Sequence, residues 1–285
     1  MDNNVLFLPW LFCVLLLPLY IMDSFQIIEP SPALVPYVKN YWFLKNDTGI
    51  DSSQRIISTG FISLVFHRGD LLFSPSVNSF QPRSFICGHS SGYSDLSQTG
   101  KVDMICITFN PDGAKAFFPF PMDDLYNQTI AVDLLAFPDF KELEERLYYL
   151  ETNEDCVSLI EQFLINRLSI SKAYNFNRMS AVIDSINKGQ YDVSTLSEVS
   201  CLSYKQFHRV FTEYIGSKPK DFLRTIRFQQ ALYLLQTHPD MNFTNLAYAC
   251  DFYDQSHMIK EFKFFSGYTP IEYISVCNPY SDYFS

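Results

Sequence analysis

The chain has 285 residues, of which 47% are hydrophobic, and its formal net charge is -10 at pH 7. This length is rather long for one compact all-α unit and suffices to bury two modest cores, so it predicts two domains. The negative charge excludes binding to nucleic acid through a generally basic surface, because phosphate neutralisation by Lys and Arg supplies most non-specific affinity.

The chain begins with an apolar segment, residues 5–21, that is similar to a signal-peptide core or a short membrane span. No Lys or Arg precedes Lys39, and two prolines interrupt the segment. The segment is also shorter than the length of about twenty residues that a helix needs to cross a bilayer. We therefore predict that the protein starts at Met22 and that residues 1–21 are an extension outside the fold. A membrane-tethered regulator that uses residues 5–21 stays open as an alternative.

Short apolar stretches then alternate with turn residues from Phe25 to about Asn110, which predicts β-strands. Residues 60–66 and 102–109 are the clearest of these strands, and proline and glycine separate the strands at intervals typical of a sandwich or barrel. After Pro138 the apolar residues recur at spacings of three and four, so helices follow the strands.

The polar stretch 171–177 predicts a linker between two domains. Residues 22–170 would form a sensor or dimerisation domain, and residues 178–285 a helical domain. Capping residues mark several helix ends in the second domain: a C-cap at Gly189, a capping box from Thr195 to Glu198, and an N-cap at Ser203. Pro219 begins a helix of about twenty residues, and thus about 30 Å, that ends before Pro239.

The negative charge is unevenly distributed along the chain. Before Arg178 there are 11 basic and 20 acidic residues, and from Arg178 onward there are 10 and 11. Within residues 201–227 six basic residues stand against only Glu213 and Asp221. A local basic surface is therefore compatible with the acidic total.

Two segments of the C-terminal domain resemble each other. Both contain a turn, then an apolar pair four residues apart, then glycine and proline: the pairs are Phe207 and Phe211 in residues 201–219, and Met258 and Phe262 in residues 251–270. In each segment the apolar pair anchors a helix and leaves its opposite face free to enter a DNA groove. The repeat predicts two helix-turn-helix units.

The string LAYACDFYDQSHMIKEFKFFSGYTP, residues 246–270, resembles the signature of the AraC-type (AraC/XylS) transcription regulators. The resemblance covers the C-terminal third, but Cys201 and Asp251 replace turn glycines and Met258 replaces an anchor phenylalanine. Asp tolerates positive φ and Met fills an apolar gap, so these two changes are expected to be mild. Cys at positive φ costs about 1 kcal/mol, so we expect a different geometry in the first turn.

The resemblance implies a bacterial-type, sequence-specific DNA-binding transcription regulator. The positions that match base-reading side chains are Lys205, His208 and Arg209 in the first recognition helix and Ser256, His257 and Lys260 in the second. These side chains can hydrogen-bond to base edges. Phosphate contacts are predicted for Lys218, Lys220 and Lys263, with solvated charges as the alternative.

The long helix from Pro219 would act as a spacer between the two recognition helices. Its length would hold them nearly one DNA turn, about 34 Å, apart, with moderate DNA bending if the spacing falls short. Arg227, on this helix, matches a structural arginine of the family, so packing or a phosphate contact is expected there and not base reading.

The segments PSPALVPYVKNYWFL and ITFNPDGAKAFF resemble a sensor domain that accompanies this DNA-binding unit. The resemblance implies a cupin-like β-barrel with flanking helices, so the predicted fold class is α+β with a C-terminal all-α tandem helix-turn-helix domain. The barrel could hold a small effector, and its helices could mediate dimerisation. Five aromatic residues are interpreted as core, with lining of the cavity as the alternative: Tyr37, Tyr41, Trp42, Phe61 and Phe66.

The sequence as a whole predicts a cytoplasmic regulator that is not an enzyme and has no catalytic residues, metal site or cofactor. Double-stranded DNA is the predicted partner, and a small-molecule effector, RNA polymerase and a second copy in a homodimer are further candidates. A cupin enzyme fused to a DNA-binding module is the alternative. The seven cysteines form no C-x-x-C pair and His67 and His89 lie outside any H-x-H pattern, which argues against a metal site.

Overall fold

A computed structural model describes residues 24–47, 53–135, 137–168 and 173–276, with the backbone only at Ala173. The predicted extension, residues 1–21, and the predicted start at Met22 lie outside the described residues. Among those described, no helix combines the length and the apolar character needed to cross a membrane.

The N-terminal part of the described chain consists of β-strands in two antiparallel sheets. They are β1 (Ser24–Ile28), β2 (Val38–Asn46), β3 (Ser53–Ile57), β4 (Ser63–His67), β5 (Phe73–Ser74), β6 (Ser79–Phe80), β7 (Ser84–Cys87), β8 (Tyr93–Ser97), β9 (Val102–Phe109) and β10 (Thr129–Ala131). One sheet has the order β1-β2-β9-β4-β7-β10 and the other the order β3-β8-β5-β6. Residues of both sheets line one cavity, so the sheets face each other in a cupin-like arrangement.

Helices follow the strands, as the change of period predicts. The first pair is α1 (Pro138–Tyr148) and α2 (Asn153–Arg167), and the C-terminal part contains α3 (Ala173–Asn187), α4 (Val193–Val199), α5 (Tyr204–Ile215), α6 (Pro219–Thr237), α7 (Phe243–Ala249), α8 (Gln255–Ser266) and α9 (Pro270–Val276). The predicted α+β class and the all-α C-terminal region are therefore confirmed. Residues 173–177 of the predicted linker belong to α3, while residues 171–172 lie outside the described residues.

Strand β2 separates two apolar cores because successive side chains of a strand point to opposite faces. Tyr41 and Phe43 join the core that includes side chains of α1 and α2, whereas Trp42 and Leu44 face the cavity. Antiparallel pairing with β9 fixes this register, with Trp42 opposite Cys106.

The five aromatic residues considered in the sequence lie in different environments. Tyr41 and Phe66 are buried in the helix-facing core, and Tyr37 packs against it. Trp42 is buried in the second apolar core and also lines the cavity, and Phe61 lines the cavity. The core interpretation is therefore correct for Tyr37, Tyr41 and Phe66, both interpretations hold for Trp42, and the cavity interpretation is correct for Phe61.

Helix α6 connects the two apolar cores of the C-terminal part. Phe222, Leu223 and Ile226 near its start pack with α3, α4 and α5. Phe228 and Leu232 further along pack with α7, α8 and α9. Its 19 residues give a length of about 28 Å, close to the predicted 30 Å.

Helix capping agrees with most of the sequence-based predictions. Ser203 and Gln206 form a capping box at the start of α5, and Pro219 occupies the first turn of α6. Gly189 follows α3 with φ +88°, as a C-cap requires. The predicted capping box at Thr195 is wrong: α4 begins earlier, and the side chain of Asp192 accepts the Thr195 backbone N–H at 2.7 Å.

Candidate nucleic-acid interface

Two helix-turn-helix units occupy the C-terminal part of the structure. In the first, α4 is followed by a turn at Cys201 and by α5; in the second, α7 is followed by a turn at Asp251 and by α8. Phe207 and Phe211 hold α5 on the core, and Met258 and Phe262 do the same for α8. The repeat in the sequence is thus a repeat in the structure.

The two turns have nearly the same φ angle at the turn residue after the first helix of each unit. Cys201 has φ +53° and Asp251 has φ +56°, so both are left-handed. The expectation that cysteine would force a different first turn is wrong. The surrounding helices impose the left-handed conformation on Cys201, and the cysteine backbone is strained as a result.

Glycine in place of Cys201 is expected to raise the free energy of unfolding by about 1 kcal/mol, because glycine adopts positive φ without a Cβ clash. Equilibrium urea unfolding measures the change. Asp251→Gly is the matched control, and it should gain less because the carboxylate of Asp251 lies 3.6 Å from Nε of Arg227. A loss of stability in Cys201→Gly would show that the backbone of Cys201 is not strained.

Counting from the N-cap of each recognition helix shows which of the predicted base-reading residues occupy equivalent positions. Counted from Ser203 and Asp254, Lys205 matches Ser256 and Arg209 matches Lys260. All four of these side chains are exposed. Each helix therefore presents a polar residue in its first turn and a cation one turn later on the free face.

His208 and His257 do not occupy equivalent positions, and both are half-buried. The His208 ring stacks obliquely on Tyr204 with 4.6 Å between the ring centroids, and its Nε2 has no hydrogen-bond partner. Burial and the charges of Lys220 and Lys218 lower the His208 pKa, so the ring is neutral at pH 7.

His257 forms hydrogen bonds with neighbouring residues of the second turn. Its backbone N–H donates to the Asp254 carboxylate at 2.7 Å, and its Nδ1 accepts the Tyr253 backbone N–H at 3.4 Å. The ring also meets Phe252 edge-on, with 5.6 Å between the centroids. Nε2 is the ring atom left for a base contact.

The cations from Lys205 onward fall into two groups. Arg224 forms two hydrogen bonds with Glu261, at 2.7 and 2.9 Å, and Arg227 faces Asp251, so both connect elements of the fold. The cations predicted to contact DNA are exposed, and within the described residues they form no ion pair: Lys205, Arg209, Lys218, Lys220, Lys260 and Lys263. This second group is available to an anionic partner.

Comparison with known proteins agrees with this geometry. A family model described as a helix-turn-helix domain matches residues 196–275, and a model described as a domain of unknown function, DUF6597, matches residues 26–131. The HTH-type transcriptional activator RhaS of Enterobacter sp. (strain 638) is 28% identical over 193 residues, which cover 60% of this chain and 69% of RhaS. An uncharacterized HTH-type transcriptional regulator of Haemophilus influenzae is 29% identical over 118 residues, covering 41% of this chain and 38% of the relative.

Residues 196–275 belong to a helix-turn-helix domain.

Two solved structures are similar to the chain at a low level. ToxT from Vibrio cholerae O395 has a TM-score of 0.44 and 12% identity, and the match covers 90% of this chain and 98% of ToxT. The AraC-like transcriptional activator CuxR has a TM-score of 0.23 and 10% identity, with 78% of this chain and 89% of CuxR covered.

The helix-turn-helix domain contacts the N-terminal part of the chain through the C-terminal ends of both recognition helices. Gly216, which ends α5 with φ +87°, lies so close to Met122 that a Cβ would come within 2.9 Å of its backbone oxygen. At Gly267, which ends α8 with φ +77°, a Cβ would come still closer to the side chains of Arg55 and Tyr93. The exposed faces near the N-terminal ends stay clear of this contact.

Arg55 on β3 is the main polar link to the second unit. Its guanidinium is held by Asp95 in a two-point ion pair at 2.8 and 2.9 Å and lies between the rings of Tyr93 and Tyr268. From there it donates a hydrogen bond of 3.3 Å to the Ser266 backbone oxygen. The sequence offered no signal for this contact, because its partners are about two hundred residues apart.

The structure adds two exposed aromatic residues to the candidate interface. Tyr204 begins α5 and is 52% exposed, and Tyr253 precedes the N-cap of α8 and is 85% exposed. Tyrosine hydroxyls are common donors to DNA phosphates. Their position beside each N-cap was the available sequence signal.

Neither histidine considered for a metal belongs to a metal-binding cluster in the described part of the chain, which contains no group of three or more such side chains. His67 is buried, and its Nε2 lies 3.1 Å from Gln81 Oε1. His89 is buried against Phe222 of α6. Burial lowers the pKa of each ring to about 4, so both are neutral at pH 7.

Proposed function

We propose that this chain is a sequence-specific DNA-binding transcription regulator whose helices α5 and α8 read two adjacent major-groove segments. The observation that carries the proposal is the matched pair Arg209 and Lys260, exposed and without ion-pair partners among the described residues. Arginine and lysine are suited to guanine O6 and N7. The apolar anchors on the opposite faces hold both helices in place.

The length of α6 supports reading by a single chain. Its about 28 Å is slightly below the about 34 Å between successive major-groove segments on one face of DNA. Moderate bending of the DNA toward the protein would remove this difference.

The N-terminal domain supplies the second part of the proposal, control by a small effector. Its cavity of about 630 Å³ between the two sheets lies within the usual range for small-molecule sites. The wall of that cavity contacts α6 through Gly60 and His89. An effector would therefore act on the helix that connects the two reading units.

The proposal assigns no catalytic step, and it includes a cytoplasmic location because the proposed partner is chromosomal DNA. RNA polymerase contact and homodimer formation remain predictions. The alternatives of a membrane-tethered regulator and a cupin enzyme are not favoured, since the relatives are named as transcriptional activators or regulators.

Selection of bound sequences from a random pool of duplex DNA tests the proposal. We expect enrichment of two short motifs whose centres lie about 10 to 10.5 base pairs apart, because each recognition helix reads one groove segment. A pool without enrichment, or a single motif unaffected by changes in α8, would overturn reading by both units.

Lys220→Ala is expected to weaken binding to specific and random DNA alike and to reduce the slope of log affinity against log salt by about 0.9, the value for one lost phosphate contact. Fluorescence anisotropy at several salt concentrations measures the slope. Lys141→Ala removes an equally exposed cation from α1 and should leave the slope unchanged. An unchanged slope in Lys220→Ala would remove this residue from the phosphate contacts.

A further inference from the structure

The cavity between the two sheets has an uncharged lining. Among the described residues that line it there is no Asp, Glu, Lys or Arg. Most of its polar side chains carry amides or hydroxyls, and its apolar wall includes Trp42, Phe85, Leu96 and Met104. A charged ligand would lose its hydration there without gaining a counter-charge.

The titratable side chains of the lining are neutral as well. Burial lowers the pKa of His89 to about 4, against a smaller opposite effect of its hydrogen bond with the Ile215 backbone. Burial raises the pKa of the Cys87 thiol to about 11 and raises that of Cys106 further. At pH 7 these groups therefore add no charge to the cavity.

Two buried polar atoms of the lining lack hydrogen-bond partners. They are Oγ of Ser58 and Nε2 of His89, and each residue is only 3% exposed. A neutral histidine ring has one N–H donor and one acceptor nitrogen, and the Ser58 hydroxyl can donate or accept. Buried polar groups are normally paired, so both atoms are suited to a ligand's polar groups.

We propose that this cavity binds an uncharged small molecule that carries a hydroxyl or N–H donor and an apolar face. The donor pairs with the Ser58 hydroxyl, a second polar group pairs with the His89 ring, and the apolar face lies against Trp42 and Phe85. The inference rests on the proposed effector control and specifies its ligand class.

The same two residues connect the ligand to the spacer helix. Gln229 of α6 donates a hydrogen bond to the Ser58 backbone oxygen, and the His89 ring packs on Phe222 of α6 with 5.6 Å between the centroids. A ligand bound to their free atoms therefore contacts the wall that holds α6. Occupancy is expected to change DNA affinity, since only differential contact between two states produces such coupling.

A matched pair of probes tests the ligand class on the full chain: phenylbutanamide, which is neutral and has N–H donors, and phenylbutanoate, which has the same length and a negative charge. Binding is measured from the rise of Tm with probe concentration, because a ligand of the folded state stabilises it. We expect the amide to bind at least about tenfold more tightly than the carboxylate.

Three variants localise the effect. Ser58→Ala should weaken amide binding about three- to tenfold, the loss of one hydrogen bond, while leaving the backbone contact with Gln229 in place. Ser94→Lys places a cation at an exposed position of the lining and should strengthen carboxylate binding. Ser97→Lys on the same strand faces away from the cavity and should change neither probe.

DNA binding measured on the same samples separates the two proposals. Equal or tighter binding of the carboxylate to the unmodified chain, or no Tm change with either probe at millimolar concentration, overturns the neutral ligand while specific DNA binding still supports the regulator. Loss of specific DNA binding with the amide preference intact would instead count against the regulator alone.

Discussion

Removing both Arg209 and Lys260 is expected to weaken binding to the selected DNA site by about 2–6 kcal/mol, since each bidentate base contact is worth about 1–3 kcal/mol and distant sites add. The two residues lie one turn after the first helical turn in α5 and α8, and both are exposed. Fluorescence anisotropy with the selected site and with random DNA measures the loss. Each single alanine variant should account for about half of it.

The distribution of the loss over DNA sequences distinguishes base reading from phosphate contact. Arg209→Ala should relax the preference at one base position, and Lys260→Ala at a position about one DNA turn away. Lys188→Ala, which removes an exposed cation just after α3, is the control and should leave the preference intact. If specific and random DNA lose the same affinity in both variants, the exposed faces of α5 and α8 do not read bases.

Phe228→Ala is expected to lower the free energy of unfolding by about 3–5 kcal/mol, the range for removing a buried aromatic side chain. Phe228 is fully buried on α6, where its ring packs on Phe262 at 5.2 Å and on Phe265 at 5.0 Å between centroids. It therefore holds α8 against the spacer helix. Equilibrium urea unfolding followed by circular dichroism measures the loss.

The neighbouring Phe264 supplies a matched control for this substitution. It is the same residue type on α8 but is 44% exposed, so Phe264→Ala should cost much less. Because Phe228 positions the second recognition helix, its variant should also weaken specific DNA binding under conditions where the chain remains folded. Equal losses of stability in the two variants would show that the contact between α6 and α8 does not depend on Phe228.

The DNA-binding region could be read from the sequence because its signals are local. Ser203, Pro219 and Gly267 mark helix ends through bonds and dihedral angles within a few residues, and the structure has a helix end at each. The apolar pair four residues apart likewise predicts which face of α5 is buried. The error at Cys201 arose because tertiary packing overrode a backbone preference of about 1 kcal/mol.

The cavity and the contacts between the two parts of the molecule could not be read in this way. Period-two alternation shows that Trp42 and Tyr41 point to opposite faces of β2, but only the pairing of the sheets decides which face meets the cavity. The same holds for the contact of Arg55 with Ser266 and for the absence of charge from the described cavity lining, since both depend on residues distant in the chain.

The sequence by itself thus determined the tandem helix-turn-helix units, the spacer between them and the cations that face outward, because short-range periodicity and capping encode them. Only the tertiary structure decided where the cavity lies, which polar atoms in it are free, and that its wall contacts α6. Those features depend on contacts between segments that are far apart in the sequence, and local conformational preferences do not specify such contacts.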